Sequence, residues 1–131
     1  MKKTKNSKIL RLISAYLPPV LWAGLIFILS AQSTLPSLSA SPFDFIFKKS
    51  AHMFVYAVLF LLMHRAILKT SHQPNVQIAP IWPWALLICL VYATADELHQ
   101  GLVPGRFATL RDVGYDMLGA GISLLYKYRY I

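Results

Sequence analysis

The chain has 131 residues, enough for one domain, with 56% hydrophobic and 14% charged residues, a mean hydropathy of +0.52 and a net charge of +8. Soluble domains carry about a quarter charged residues, so this balance excludes an ordinary soluble core and points to a membrane protein. Its basic residues lie between and beyond apolar runs, not in a patch with interleaved aromatics, so the expected partners are membrane lipids and not nucleic acid.

The chain opens on MKKTKNSKILR, the basic flank of a signal peptide. The apolar run behind it, Leu12 to Leu29, exceeds a signal core of roughly 7–15 residues and lacks a small-x-small cleavage site. It reads as an uncleaved first membrane helix over 12–31, with Pro18 and Pro19 in its first turns, where missing N–H groups cost little. SAQSTLPSLSASPFDFIFKK follows as an irregular loop ending in an aromatic, interfacial PFDFIF. A second helix is expected over 50–68, then a plain loop around SHQPNVQ, with His64 and His72 as solvated loop residues. Pro80 and Pro83 mark the start of a third helix over 81–100, and a short fourth is expected over 112–127.

Lysine and arginine set the orientation. Lys2, Lys3, Lys5, Lys8, Arg11, Arg65, Lys69, Lys127 and Arg129 fall on one side of such a bundle, and only Lys48, Lys49, Arg106 and Arg111 on the other. The positive-inside rule places the richer side, with both termini, in the cytoplasm. The expected architecture is an all-α membrane protein, a four-transmembrane-helix bundle in one domain over 1–131, in the bacterial cytoplasmic membrane. All five acids (Asp44, Asp96, Glu97, Asp112, Asp116) then lie on or near the outer side, and Tyr126, Tyr128 and Tyr130 form an inner aromatic belt.

Three polar stripes converge at the outer end. Asp96 and Gln100 share a face of the third helix, with His99 beside them and Glu97 about 100° away. Asp112 and Asp116 share a face of the fourth helix, continued by Gly119, and Lys49, His52 and Tyr56 share one of the second. An ionisable residue within a span costs about 2.5–3.5 kcal/mol, so these groups are expected to face one another, with Lys49 and Arg106 or Arg111 offsetting carboxylates. Pro104-Gly105-Arg106 forms a turn that aims an arginine fork, a fit for phosphate or carboxylate. Asp112 is also a candidate cap for the fourth helix. Gly119 and Ser123 make a small-x-x-x-small packing step. The single Cys89 excludes an internal disulfide, no compact metal-ligand spacing is present, and neither metal nor cofactor is expected.

These residues resemble the VanZ-like family signature. It reads Asp-Glu-x-x-Gln, Pro-Gly-Arg and Asp-x-x-x-Asn-x-x-Gly, matched by Asp96, Glu97, Gln100, Pro104, Gly105, Arg106, Asp112 and Gly119. Asp116 stands where the family commonly has asparagine. Lys49, His52, Tyr56 and the serine-rich exit Ser30, Gln32, Ser33 also match the pattern. The resemblance implies an integral membrane protein of a family named for a protein linked to teicoplanin resistance.

Two functions are expected of such a site. The first is recognition of an anionic, lipid-linked cell-envelope molecule by Lys49, Tyr56, Gln100, Arg106, Asp112 and Asp116. The second is acid–base transfer or hydrolysis on such a lipid, with Asp96 or Glu97 taking a proton and His52 or His99 returning it. Ser30 and Ser33 have no triad spacing around them. The sequence is compatible with a homo-oligomer.

Overall fold

A computed structural model describes residues 2–33, 42–71 and 80–130, the side chains of 2–6, 42 and 44 apart. The SHQPNVQ connection with His72, the serine-rich stretch before the second helix and the Asp44 side chain lie outside this set. The described residues form four helices and no strand: α1 (Lys2–Ser30), α2 (Pro42–Thr70), α3 (Trp82–Gln100) and α4 (Leu110–Lys127).

Three helices start earlier than the apolar runs indicate. α1 includes the basic flank, because lysine and arginine are good helix formers that hydropathy alone does not register. Pro18 and Pro19 therefore sit mid-helix, not in its first turns, and remove two intrahelical hydrogen bonds there. α2 begins at Pro42, whose fixed φ suits a first helical position, so PFDFIF forms its opening turns and not the end of the connection. α4 begins at Leu110 and is capped by Thr109, whose side chain accepts from the Asp112 N–H at 3.3 Å; Asp112 is not the cap.

α2 is the central helix, in contact with α1, α3 and α4. α4 packs chiefly on α2, and among the described residues α1 and α4 do not meet. The core joins Ile26 of α1 to Tyr56, Leu59 and Phe60 of α2, Ala85, Cys89 and Ala93 of α3, and Val113 and Ala120 of α4. The seam between α2 and α4 closes at Gly119. A Cβ there would lie 2.6 Å from the Met53 carbonyl carbon and closer still to its oxygen, so the two backbones touch. α1 is fastened at mid-height through main-chain carbonyls, the Trp22 indole donating to Val55 O (2.8 Å) and the Tyr92 hydroxyl to Ala23 O (2.5 Å), and toward its ends by side-chain pairs, Tyr16 with Thr70 (3.1 Å) and Ser30 with Asp96 (2.8 Å).

The outside of the bundle is apolar on every helix. Leu21, Phe54, Trp84, Val91, Leu98 and Leu118 are all exposed, whereas Asp96, Glu97, Gln100, Asp116 and Ser123 are buried. A soluble fold has the opposite distribution. α1 and α2 offer apolar stretches of 24 residues (Ser7–Ser30) and 26 residues (Phe45–Thr70), both long enough to cross a membrane. At 1.5 Å per residue these reach about 36–39 Å, beyond the roughly 30 Å hydrocarbon core.

Candidate functional site

The buried stripe of α3 changes character along its length. Ala85, Cys89 and Ala93 are small and apolar; one turn later the same face carries Asp96, Glu97 and Gln100. α4 runs the other way, so its first turns bring Asp112 and Asp116 beside these groups, and α2 contributes Lys49, His52 and Tyr56. All the helix ends that meet here, including Ser30 at the end of α1, lie at one end of the bundle.

The groups sort into two sets. The first lies along the α2–α4 seam. Lys49 pairs with Asp112, and its ammonium sits 5.5 Å from the ring centroids of both Phe45 and Tyr115. His52 Nδ1 is 2.9 Å from Asp116 Oδ1. Asp116 is almost fully buried and holds the ring orientation from behind. Arg111 lies over the Phe45 ring at 5.8 Å and, among the described side chains, meets no carboxylate.

The second set joins α3, the loop and α1. Asp96 Oδ2 accepts from Ser30 Oγ (2.8 Å) and from Gln100 Nε2 (3.1 Å), and the amide also reaches Ser30 Oγ at 3.3 Å. The Pro104-Gly105-Arg106 turn forms as its residues dictate, with Gly105 at φ +81°. It aims Arg106 at Gln100 Oε1 and at the main-chain oxygens of Ser30 (3.2 Å) and Gln32 (3.5 Å). The sequence leads one to expect Arg106 on a carboxylate. Instead it straps the loop to the end of α1, since backbone carbonyls at a helix terminus need donors.

Glu97 has a separate task. Its Oε1 accepts the Thr109 N–H at 2.6 Å. In a local capping box the residue at the third helical position, here Asp112, would take that N–H. Asp112 is drawn to Lys49 instead, and Glu97 of α3 fills the place from outside. His99 also turns away: its ring stacks on Phe27 with centroids 4.3 Å apart. His64, far from being a solvated loop residue, is buried in α2 against Phe60 and Tyr128, with Nε2 3.2 Å from the Tyr128 hydroxyl.

A cavity of about 140 Å³ opens between these sets. Its walls are Ile26 and Leu29 of α1 and Phe47, Ala51 and Val55 of α2. Its polar lining is Ser30, Lys48, His52, Tyr56, Asp96, Gln100 and Arg106. Lys49, Glu97, Asp112 and Asp116 do not line it. Ser30 and Lys48 do, although reasoning on helical stripes passed over both. Positions 48, 52 and 55 form the stripe of α2 that faces the cavity, whereas 49 and 53 face α4.

The same residues carry the comparison with known proteins. The VanZ/LLP1 family profile matches residues 10–129, nearly the whole chain and every residue of the cavity. This protein belongs to the VanZ/LLP1 family. No curated protein and no solved structure matches it. Family membership together with the apolar exterior fits a membrane protein linked to glycopeptide resistance. Within the family pattern, Asp96, Gln100 and Arg106 belong to one hydrogen-bonded set, while Asp112, Lys49, Asp116 and His52 form two pairs along the α2–α4 seam.

Proposed function

We propose that all four helices cross the bacterial cytoplasmic membrane, with both termini cytoplasmic and the cavity end outward. There the cavity recognises an anionic, lipid-linked molecule of the cell envelope. One observation carries the reading: the cavity joins apolar walls from α1 and α2 to a polar lining that, among the described residues, holds Lys48, His52 and Arg106 with one acid, Asp96. A phosphate or carboxylate suits these donors, and an attached lipid chain suits the apolar walls. The lone acid is itself engaged by Ser30 and Gln100. Lys49, Asp112 and Asp116 act on this reading by fixing α2 to α4 and aiming His52, not by touching the ligand. The family's link to glycopeptide resistance supports a ligand from the envelope.

The topology has a direct test. Phe107 is exposed in the loop between α3 and α4, and the native Cys89 is fully buried and gives little background. Phe107→Cys in intact cells should react with a membrane-impermeant maleimide added outside. Reaction only after the cells are opened would reverse the orientation. For the ligand, lipids that co-purify with wild type and with Arg106→Gln are compared by mass spectrometry. Arg106→Gln should lower occupancy of an anionic envelope lipid roughly tenfold or more, the effect of removing a hydrogen bond to a charged group. Equal occupancy in a folded Arg106→Gln protein would sink the reading.

A second reading is favoured by the His52–Asp116 contact. A carboxylate acceptor on Nδ1 leaves the Nε2 lone pair free to act as a base, the arrangement by which an aspartate fixes a histidine tautomer. Acid–base transfer or hydrolysis on the same lipid would then use His52 and Asp96, both on the cavity, with Glu97 confined to the loop. In the same mass-spectrometric comparison, Asp96→Asn or His52→Gln would trap a lipid that wild type converts. Identical lipids in wild type and both variants would exclude turnover.

A further inference from the structure

Two buried polar atoms of residues that line the cavity have no partner. The Tyr56 hydroxyl belongs to a residue of 0% relative exposure, and Asp96, at 5%, leaves Oδ1 unbonded although Oδ2 is doubly engaged. One is a donor and the other an acceptor, and both residues line the same space. Burying such groups unsatisfied is costly, and native proteins rarely leave them so. They do not bond each other. A hydroxyl, which both donates and accepts, offers the kind of partner that each lacks.

We infer that the cavity reads a hydroxyl group carried beside the anion, accepting from the Tyr56 hydroxyl and donating to Asp96 Oδ1. This rests on the reading above that the ligand is anionic and lipid-linked, and it narrows the ligand to a head group in which a phosphate and an alcohol are neighbours. A sugar phosphate and a glycerol phosphate share that chemistry. One bridging water could satisfy the same two atoms, but a water needs only roughly 10–15 Å³, far less than the cavity of about 140 Å³. Arg106 and Lys48 line the same space and supply the cationic side, so the two halves of the head group have separate receptors. Trp22 and Tyr92, two polar aromatics of the neighbouring helices, are already bonded to carbonyls. Tyr56 is thus set apart from them by its free hydroxyl.

The test uses the full chain in detergent, as wild type and Tyr56→Phe, with two pairs of lipid probes. One pair is phosphatidic acid and phosphatidylglycerol; the other is a polyprenyl phosphate and the same lipid bearing a phosphate-linked hexose. Wild type should bind the hydroxyl-bearing member of one pair roughly tenfold or more tighter. That preference should collapse in Tyr56→Phe. The pair that shows it separates a glycerol from a sugar. Equal binding within both pairs, or a preference that survives in Tyr56→Phe, overturns the inference and leaves the anionic-lipid reading standing. Failure of all four probes to bind overturns both. Thermal unfolding guards against a folding artefact. Tyr56→Phe removes an unpartnered group and should unfold no earlier than wild type, and earlier unfolding would assign the hydroxyl to the fold and overturn the inference.

Discussion

Gly119→Ala destabilises the bundle by about 1–3 kcal/mol, the cost of overpacking a close-fitting contact. The added methyl group would meet the Met53 backbone 2.6 Å from its carbonyl carbon, and backbone cannot rotate aside as a flexible side chain can. The strain does not stay local. Asp112, Asp116 and Gly119 lie on one face of α4, so pushing the helix outward lengthens the Lys49–Asp112 and His52–Asp116 contacts together. Gly114 and Gly121 of the same helix are the controls, since a Cβ at either meets nothing within 4 Å. Alanine there should stabilise, by up to about 1 kcal/mol from helix propensity. Unfolding midpoints of the three single variants in one detergent decide the matter. If all three substitutions shift the midpoint alike, close backbone contact is not what holds α2 to α4.

Asp116→Asn should fold like wild type, and Asp116→Ala should lose about 1–3 kcal/mol. The amide oxygen of asparagine can accept from His52 Nδ1 as the carboxylate does, and the two side chains have nearly the same volume. Alanine leaves that nitrogen of the half-buried His52 without its acceptor, which carries much of the desolvation cost of the group. The family's frequent asparagine at this position has the same geometric explanation: the site needs an acceptor behind His52, and a formal charge is an additional feature of this chain. The charge separates the two functional readings. A lipid binder should be indifferent to Asp116→Asn, whereas turnover that uses the carboxylate behind His52 should slow. Thermal unfolding together with the lipid mass spectrum reads both effects from one sample. An Asp116→Asn variant as unstable as Asp116→Ala would show that the charge itself holds the pair.

The residues that meet at the site were largely legible, because polar groups in apolar helices carry a strong signal. Spacings of three and four placed Asp96 with Gln100, Asp112 with Asp116, and Lys49 with His52 and Tyr56. The partners within the site were less legible. Arg106 was expected on a carboxylate and instead meets Gln100 and carbonyls of α1. No feature of the sequence gives the register at which α1 ends beside α3. For the same reason Ser30 looked like a family marker with no role, although its hydroxyl is bonded to Asp96. The partner of Glu97 is not legible either, because it is a backbone N–H, and every residue but proline offers one. Helix starts were missed where the signal was hydropathy alone: the basic turns of α1 are helical by propensity, and the start of α4 is set by the Thr109 cap. His64 was misplaced because an apolar run ending in His-Arg gives no sign that Tyr128, from the far end of the chain, covers the ring.

The way α1 is attached has a consequence for the evolution of this chain. Trp22, Tyr92 and Arg106 all end on main-chain oxygens, those of Val55, Ala23 and Ser30. A carbonyl is the same whatever side chain it carries, so positions 23 and 55 can drift without losing these bonds. Lys49 with Asp112 and His52 with Asp116, by contrast, are side-chain pairs in which each member constrains the other. Correlated substitution between relatives should therefore trace the α2–α4 seam and, on α1, the side-chain pairs Ser30–Asp96 and Tyr16–Thr70, and pass over the carbonyl contacts at positions 23 and 55.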